Sequence, residues 1–286
     1  MRLNMRSIIA AAIMAVFMAV SLGGNALAKE KEAEFAYVEW ACATATAHLV
    51  EAVLEEKMDY DIDLTSVGAA AMWQALGTGD VDAITCAWLP GTHGDYLEGV
   101  KDDVEDLGPN LEGAKIGLVV PEYVTIDSIE ELNENADKFD GEITGIDPGA
   151  GIMSATEDAV EKYNITDMEL KEGSDAMMTA VLKDKIKNDE WVVVTGWTPH
   201  WKFGAWDLKY LEDPEGVYGD EETINTVVRK GLKDDDPELF AFLDKFYLEL
   251  EDLHELMAMN QEEDDPEGNA RKWMEENPEK VEKWLP

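Results

Sequence analysis

V-V-V-T-G-W-T-P-H-W-K-F, residues 192–203, changes character within one short stretch. Trp191–Thr195 is an apolar run of strand formers and predicts a buried strand. The run ends at once in Gly196 and Trp197, and Pro199, His200 and Trp201 follow. A core strand that surfaces into glycine, large aromatics and a histidine marks a sheet edge built to meet something. The same texture occurs twice more. Y-V-E-W-A-C-A-T places Trp40 after a first strand, and I-T-C-A-W-L-P places Trp88 after another.

Working outward from these points, strands and helices alternate. Ala36–Glu39, Ile62–Val67, Ala83–Ala87, Lys115–Val120 and Ile143–Ile146 read as strands. Thr44–Lys57, Ala69–Thr78, Met153–Tyr163 and Ala176–Asp184 have helical spacing, and Ser128–Asn135 starts with a capping pair, Ser128 and Glu131. Such alternation predicts an α/β fold with parallel sheets. In the last third, Leu239, Phe242, Leu243, Phe246, Leu250, Leu253 and Met257 recur at helical spacing and predict the core face of one long helix. No repeat or low-complexity linker marks a domain boundary.

The N-terminus has a different purpose. Arg2 and Arg6 precede an apolar run, Ile8–Leu22, and A-L-A at 26–28 precedes Lys29. This is the anatomy of a secretory signal peptide, residues 1–28, with a single membrane anchor as the alternative. No cysteine stands at the cleavage site, and no later stretch is a candidate span. The expectation is an exported, soluble, periplasmic protein. Loss of Arg2 and Arg6 takes the net charge from −40 to −42. That charge disfavours nucleic acid and anionic membranes, whose binding needs Lys and Arg to displace counterions. The acidic residues are spread along the chain and read as a solvated surface, of the kind seen in proteins adapted to high salt. Cys42 and Cys86 are either one disulfide or two buried thiols.

Ligands of open α/β sheets bind beyond the carboxyl ends of strands. Three tryptophans at three such ends, Trp40, Trp88 and Trp197, are candidates for an aromatic cage around a quaternary ammonium group. Core filling is the alternative for each taken singly. A fourth element, G-I-D-P-G-A-G-I-M at 145–153, breaks a strand into a glycine turn before a helix. The free N–H groups of a first helical turn suit an anion. Gly149, Ala150, Gly151 and Ile152 are therefore candidates to hold a carboxylate, with His200 a weaker one. Together the two features point to a small zwitterion.

Other chemistries fit poorly. D-Y-D-I-D at 59–63 opens like a calcium loop, but its sixth and twelfth positions are Leu64 and Ala70. The four histidines are scattered, there is no zinc spacing, and no G-x-S-x-G occurs. Cys42 with His48 or His200 lacks an orienting third group for nucleophilic catalysis. No metal, cofactor or catalytic residue is expected; an exported acidic enzyme is the alternative of a different class.

Taken together, W-A-C-A-T-A-T-A-H, A-A-M-W-Q-A-L, C-A-W-L-P-G-T-H, L-E-G-A-K-I-G-L-V-V-P, G-I-D-P-G-A-G-I-M and G-W-T-P-H-W resemble the OpuAC-like glycine betaine-binding proteins of ABC transporters. The resemblance spans essentially the whole mature chain. It implies a type II periplasmic binding fold with two α/β lobes closing on the ligand: residues 29–118 plus 206–286 form lobe 1 and 119–205 lobe 2. It implies Trp40, Trp88 and Trp197 as the cage, the Gly149–Ile152 turn for the carboxylate, His93 as structural, an inner-membrane permease as partner, and a monomer. Choline-binding relatives place an Asp two residues after the first cage Trp and an Asn in the glycine turn. Cys42 and, approximately, Ala150 stand there here, which favours glycine betaine, with choline, proline betaine or carnitine as alternatives.

Overall fold

A computed structural model describes residues 31–286; residues 1–28, expected to be a signal peptide, lie outside the described residues. The strands described are β1 (Lys31–Tyr37), β2 (Tyr60–Ser66), β3 (Ala83–Leu89), β4 (Val104–Pro121), β5 (Glu142–Thr144), β6 (Glu169–Lys171), β7 (Val194–Thr198), β8 (Leu208–Tyr210) and β9 (Glu222–Arg229). They form one path, β2-β1-β3-β9-β4-β7-β5-β6, with β8 on β4. The class is α/β, as the alternation predicts. The apolar run A-I-T-C-A-W-L becomes β3, buried at every residue. Each large aliphatic side chain hidden this way contributes about 1.5–3 kcal/mol.

The expectation of parallel sheets needs correction. β1 and β3 are parallel, and so is β5 with β6 and β7. In the middle, β9 runs antiparallel to both β3 and β4, and β4 antiparallel to β7 and β8. A crossover helix imposes parallel pairing only on the strands it joins. β4 and β9 are sheet neighbours from distant parts of the chain, so no such constraint acts on them. β4 changes partner along its length, pairing β9 over Val104–Ala114 and β7 over Lys115–Val119.

The helices Ala41–Met58, Ala69–Thr78, Gly151–Lys162 and Asp175–Lys187 fall where the spacing places them. The Ser128–Glu131 capping box forms, but it opens two 3-10 segments, Ile129–Glu131 and Asn133–Phe139, rather than an α-helix. The single C-terminal helix is also corrected. It is two helices, Pro237–Lys245 and Leu250–Glu262. Between them the Leu248 N–H donates to the Asn110 carbonyl of β4 at 2.8 Å, which ties this segment to the sheet. Glu249 and Asp252 then cap the new helix reciprocally. No helix among the described residues is long and apolar enough to cross a membrane.

Candidate functional site

Three strand ends meet at one cavity. Trp88 closes β3, Trp197 stands near the end of β7, and Trp40 follows β1 at the start of the Ala41–Met58 helix. All three line a space of about 310 Å³ counting its mouth, with Cys42, Thr92, His93, Ile116, Ile146, Ala150, Gly151 and Ile152. The tryptophans are 6 %, 3 % and 4 % exposed in the order Trp40, Trp88, Trp197, so burial alone would class them as core. Their convergence on one cavity is what separates them from core filler.

Each indole is set by its neighbours. The Trp40 Nε1–H donates to Asp147 Oδ1 at 2.9 Å. The backbone of Trp88 is clamped by His93: the Trp88 N–H donates to His93 Nδ1 at 3.0 Å, and the His93 N–H donates to the Trp88 carbonyl at 2.9 Å. The His93 ring also stacks on Trp40, centroids 5.6 Å apart. Burial pushes His93 down to about 3, so the ring is neutral with its proton on Nε2. Trp197 Nε1 is buried and has no hydrogen-bond partner among the described residues.

Opposite the tryptophans is the glycine turn. Gly149 has φ +94°, a conformation that glycine adopts at little cost. Its carbonyl accepts from the Tyr96 hydroxyl at 2.7 Å. Ala150 is the N-cap of the Gly151–Lys162 helix and has no side chain with which to cap it. The Met153 N–H already donates to the Ala150 carbonyl at 2.9 Å, so it is the Gly151 and Ile152 N–H groups that are left without a local acceptor. Ala150, Gly151 and Ile152 reach the cavity wall; Gly149 does not.

His200 is also off the wall. It is fully buried behind Trp197, ring centroids 4.8 Å apart and edge-on. The Lys202 N–H donates to His200 Nδ1 at 3.1 Å, which leaves His200 Nε2–H to donate to Asp175 Oδ1 at 3.0 Å. Burial, with the nearby Lys202 ammonium, pushes His200 down to about 4. Burial alone would raise Asp175, but His200 and Lys202 outweigh it and hold the carboxyl below its ordinary value. Asp175 Oδ2 accepts from the Ala41 N–H at 2.9 Å. Trp40 offers no side-chain cap to its own helix, and Asp175 supplies one from 134 residues away.

Cys42 and Cys86 are free buried thiols, their Sγ atoms 3.9 Å apart, whereas a disulfide holds sulfurs at about 2.05 Å. The contact with Cys86, reinforced by burial, pushes the Cys42 thiol well up, which opposes any nucleophilic use. Reductant is expected to leave melting temperature and ligand affinity unchanged; a fall of several degrees with dithiothreitol would demand a bridge. No group of three or more His, Cys, Asp or Glu placed for a metal ion occurs among the described residues.

Residues 31–276 match the OpuAC family, described as the substrate binding domain of the ABC-type glycine betaine transport system. The chain belongs to this family. Lactococcal OpuAC, solved in its closed-liganded conformation with glycine betaine, is 40% identical, with TM-score 0.86 over 90% of this chain and 100% of that one. An ABC-transporter choline binding protein in complex with choline is 27% identical, with TM-score 0.84 over 88% of this chain and 91% of that one. The glycine betaine/carnitine transport binding protein GbuC of Listeria monocytogenes is 49% identical over 144 residues, 50% of this chain. That match spans 48% of GbuC, about half the relative's length.

Asp147, Asp175, Tyr96 and Lys202 are site residues that the sequence reading misses. Asp147 stands inside the glycine turn and was the one within reach of sequence reasoning. The others act through partners more than fifty residues away or through burial, neither of which leaves a local signal.

Proposed function

We propose that this chain is the exported receptor of an ABC importer and captures glycine betaine. The trimethylammonium group sits among Trp40, Trp88 and Trp197, and the carboxylate takes the N–H groups of the Gly151–Ile152 turn. One observation carries this: the three tryptophans and that turn line the same small cavity. Three desolvated cation–π contacts of about 2 kcal/mol each, plus charge-assisted hydrogen bonds of about 1.5–3 each, exceed the several kcal/mol lost on association. The surplus supports micromolar affinity, about −8 kcal/mol. The receptor has no catalysis of its own, works as a monomer and hands its ligand to the permease.

Two lobes closing on the ligand fit the pairing of the sheet. β8 joins residues 119–121 of β4, and the Tyr218 hydroxyl donates to Thr156 Oγ1 at 3.0 Å. On this basis the lobe 2 proposed at 119–205 would also take in β8 and the turn at Tyr218. Trp40 Nε1–Asp147, Ala41 N–Asp175 and Tyr96 Oη–Gly149 then all join lobe to lobe. Asp147→Ala would strand the buried Trp40 indole N–H and is expected to weaken betaine binding about tenfold, from a lost partner costing roughly 1–3 kcal/mol. Unchanged affinity would detach Asp147 from closure.

Isothermal titration of the mature protein with glycine betaine, proline betaine, carnitine and choline tests the function. Micromolar binding of the betaines with weaker choline binding is expected. Tight choline binding would overturn the carboxylate part and leave the cage. No binding of any of them would overturn both, and turnover of a betaine by purified protein would establish an enzyme.

A further inference from the structure

Lys202 is the one lysine among the largest fully buried side chains, with 0% of its surface exposed. Its Nζ lies 4.1 Å from the centre of the Trp197 ring and 5.6 Å from that of Phe203, and it has no hydrogen-bond partner among the described residues. Trp197 lines the cavity and Lys202 does not, so the ammonium touches the indole from outside the wall. The carboxylate that faces it, Asp175, spends Oδ1 on His200 and Oδ2 on the Ala41 N–H, so no direct ion pair neutralises Lys202. A cation is expensive to bury without such a partner, and one placed against a wall of the cavity acts on whatever the cavity holds.

We propose that Lys202 is a specificity-determining residue, whose ammonium behind Trp197 disfavours ligands of net positive charge relative to zwitterions. This rests on the cage assigned to Trp40, Trp88 and Trp197. A ligand with only an ammonium group places a second cation on the same indole, and in a site stripped of water the two repel with little screening. They also compete for the electron density of one ring. A zwitterion carries its own carboxylate into the field of Lys202, and the attraction offsets much of the repulsion. Discrimination then follows from net charge, without a contact between Lys202 and the ligand.

The charge of Lys202 is adjustable. Burial draws it down to about 7, with Asp175 acting in the opposite direction. The groups facing it do not change state with it. His200 on its own turn lies at about 4, and Asp175 on the Asp175–Lys187 helix stays ionised. Cys42 on the Ala41–Met58 helix is pushed up by Cys86, and burial lowers His254 behind His200. Lys202 therefore loses charge as the pH rises through the neutral range.

The test is titration of the mature protein with glycine betaine and with tetramethylammonium at pH 6.5 and 8.5. In the wild type, the ratio of the tetramethylammonium Kd to the betaine Kd should be several-fold larger at pH 6.5. Lys202→Met should lower that ratio about tenfold at pH 6.5 and abolish its pH dependence. Lys202→Arg, charged at both pH values, should keep the ratio high at pH 8.5. A Lys202→Met ratio equal to the wild type at pH 6.5 overturns the role of Lys202 while leaving the cage standing. If the Met variant does not fold, Lys202→Gln, uncharged at both pH values, takes its place in the same comparison. Failure of both ligands to bind the wild type overturns the cage, and the role of Lys202 with it.

Discussion

Trp197→Ala is expected to raise the Kd for glycine betaine by at least about thirtyfold, the equivalent of roughly 2 kcal/mol for one desolvated cation–π contact. The indole is buried, lines the cavity and has no hydrogen-bond partner among the described residues, so its removal breaks no hydrogen bond, although it also uncovers the Lys202 ammonium 4.1 Å from the ring centre. What is lost is one wall and one π face. Because large-to-small changes of a buried Trp cost about 3–5 kcal/mol of stability, the melting curve must show that the variant is folded at the titration temperature. Trp197→Phe separates bulk from charge attraction: it keeps an aromatic face with a weaker quadrupole and should fall between wild type and Ala. A folded Trp197→Ala that binds betaine like the wild type would remove Trp197 from the site.

The parts of this molecule that were legible in the sequence are those set by local pattern. β3 could be read because A-I-T-C-A-W-L needs no partner to declare itself buried, and the Ala69–Thr78 helix because its glycines mark the end. The first half of β4, V-E-D-L-G-P-N-L-E-G-A, looks like loop: Gly108 and Gly113 have positive φ, and Pro109 offers no N–H. It is a strand only because β9 pairs with it through several irregularities, so tertiary pairing overrides propensity. The helices at Pro237, Pro266 and Pro278 did carry a signal, an Asp or Asn before a proline in the first turn. At the site, the types of residue were legible and their supports were not. A tryptophan at a strand end is visible in one line of sequence. Asp175, which caps the helix after Trp40 and holds the histidine behind Trp197, is visible only once three segments are folded together.

Gly151→Ala should cost at least about tenfold in glycine betaine affinity together with roughly 1–3 kcal/mol of stability, the usual range for forcing one methyl into a packed contact. A Cβ at Gly151 would stand 2.0 Å from the Thr92 carbonyl oxygen and 2.7 Å from Thr92 Cγ2. Thr92 has nowhere to go. Its N–H donates to Glu222 Oε1 at 2.7 Å, its hydroxyl donates to Glu222 Oε2, and the Gly91 N–H donates to the same carboxylate at 2.5 Å. The start of the Gly151–Lys162 helix must therefore move instead, and with it the N–H groups assigned to the carboxylate. Gly204→Ala is the control, because a Cβ there meets nothing within 4 Å, and it should leave both melting and binding as they are. Tetramethylammonium decides what the displaced turn does. If its affinity survives in Gly151→Ala while that of glycine betaine falls, the turn holds the carboxylate. If both fall together, Gly151 matters for how closely the turn packs on the Thr92 loop, and the carboxylate must be held elsewhere. Wild-type affinity for betaine in this variant would remove the turn from the site altogether.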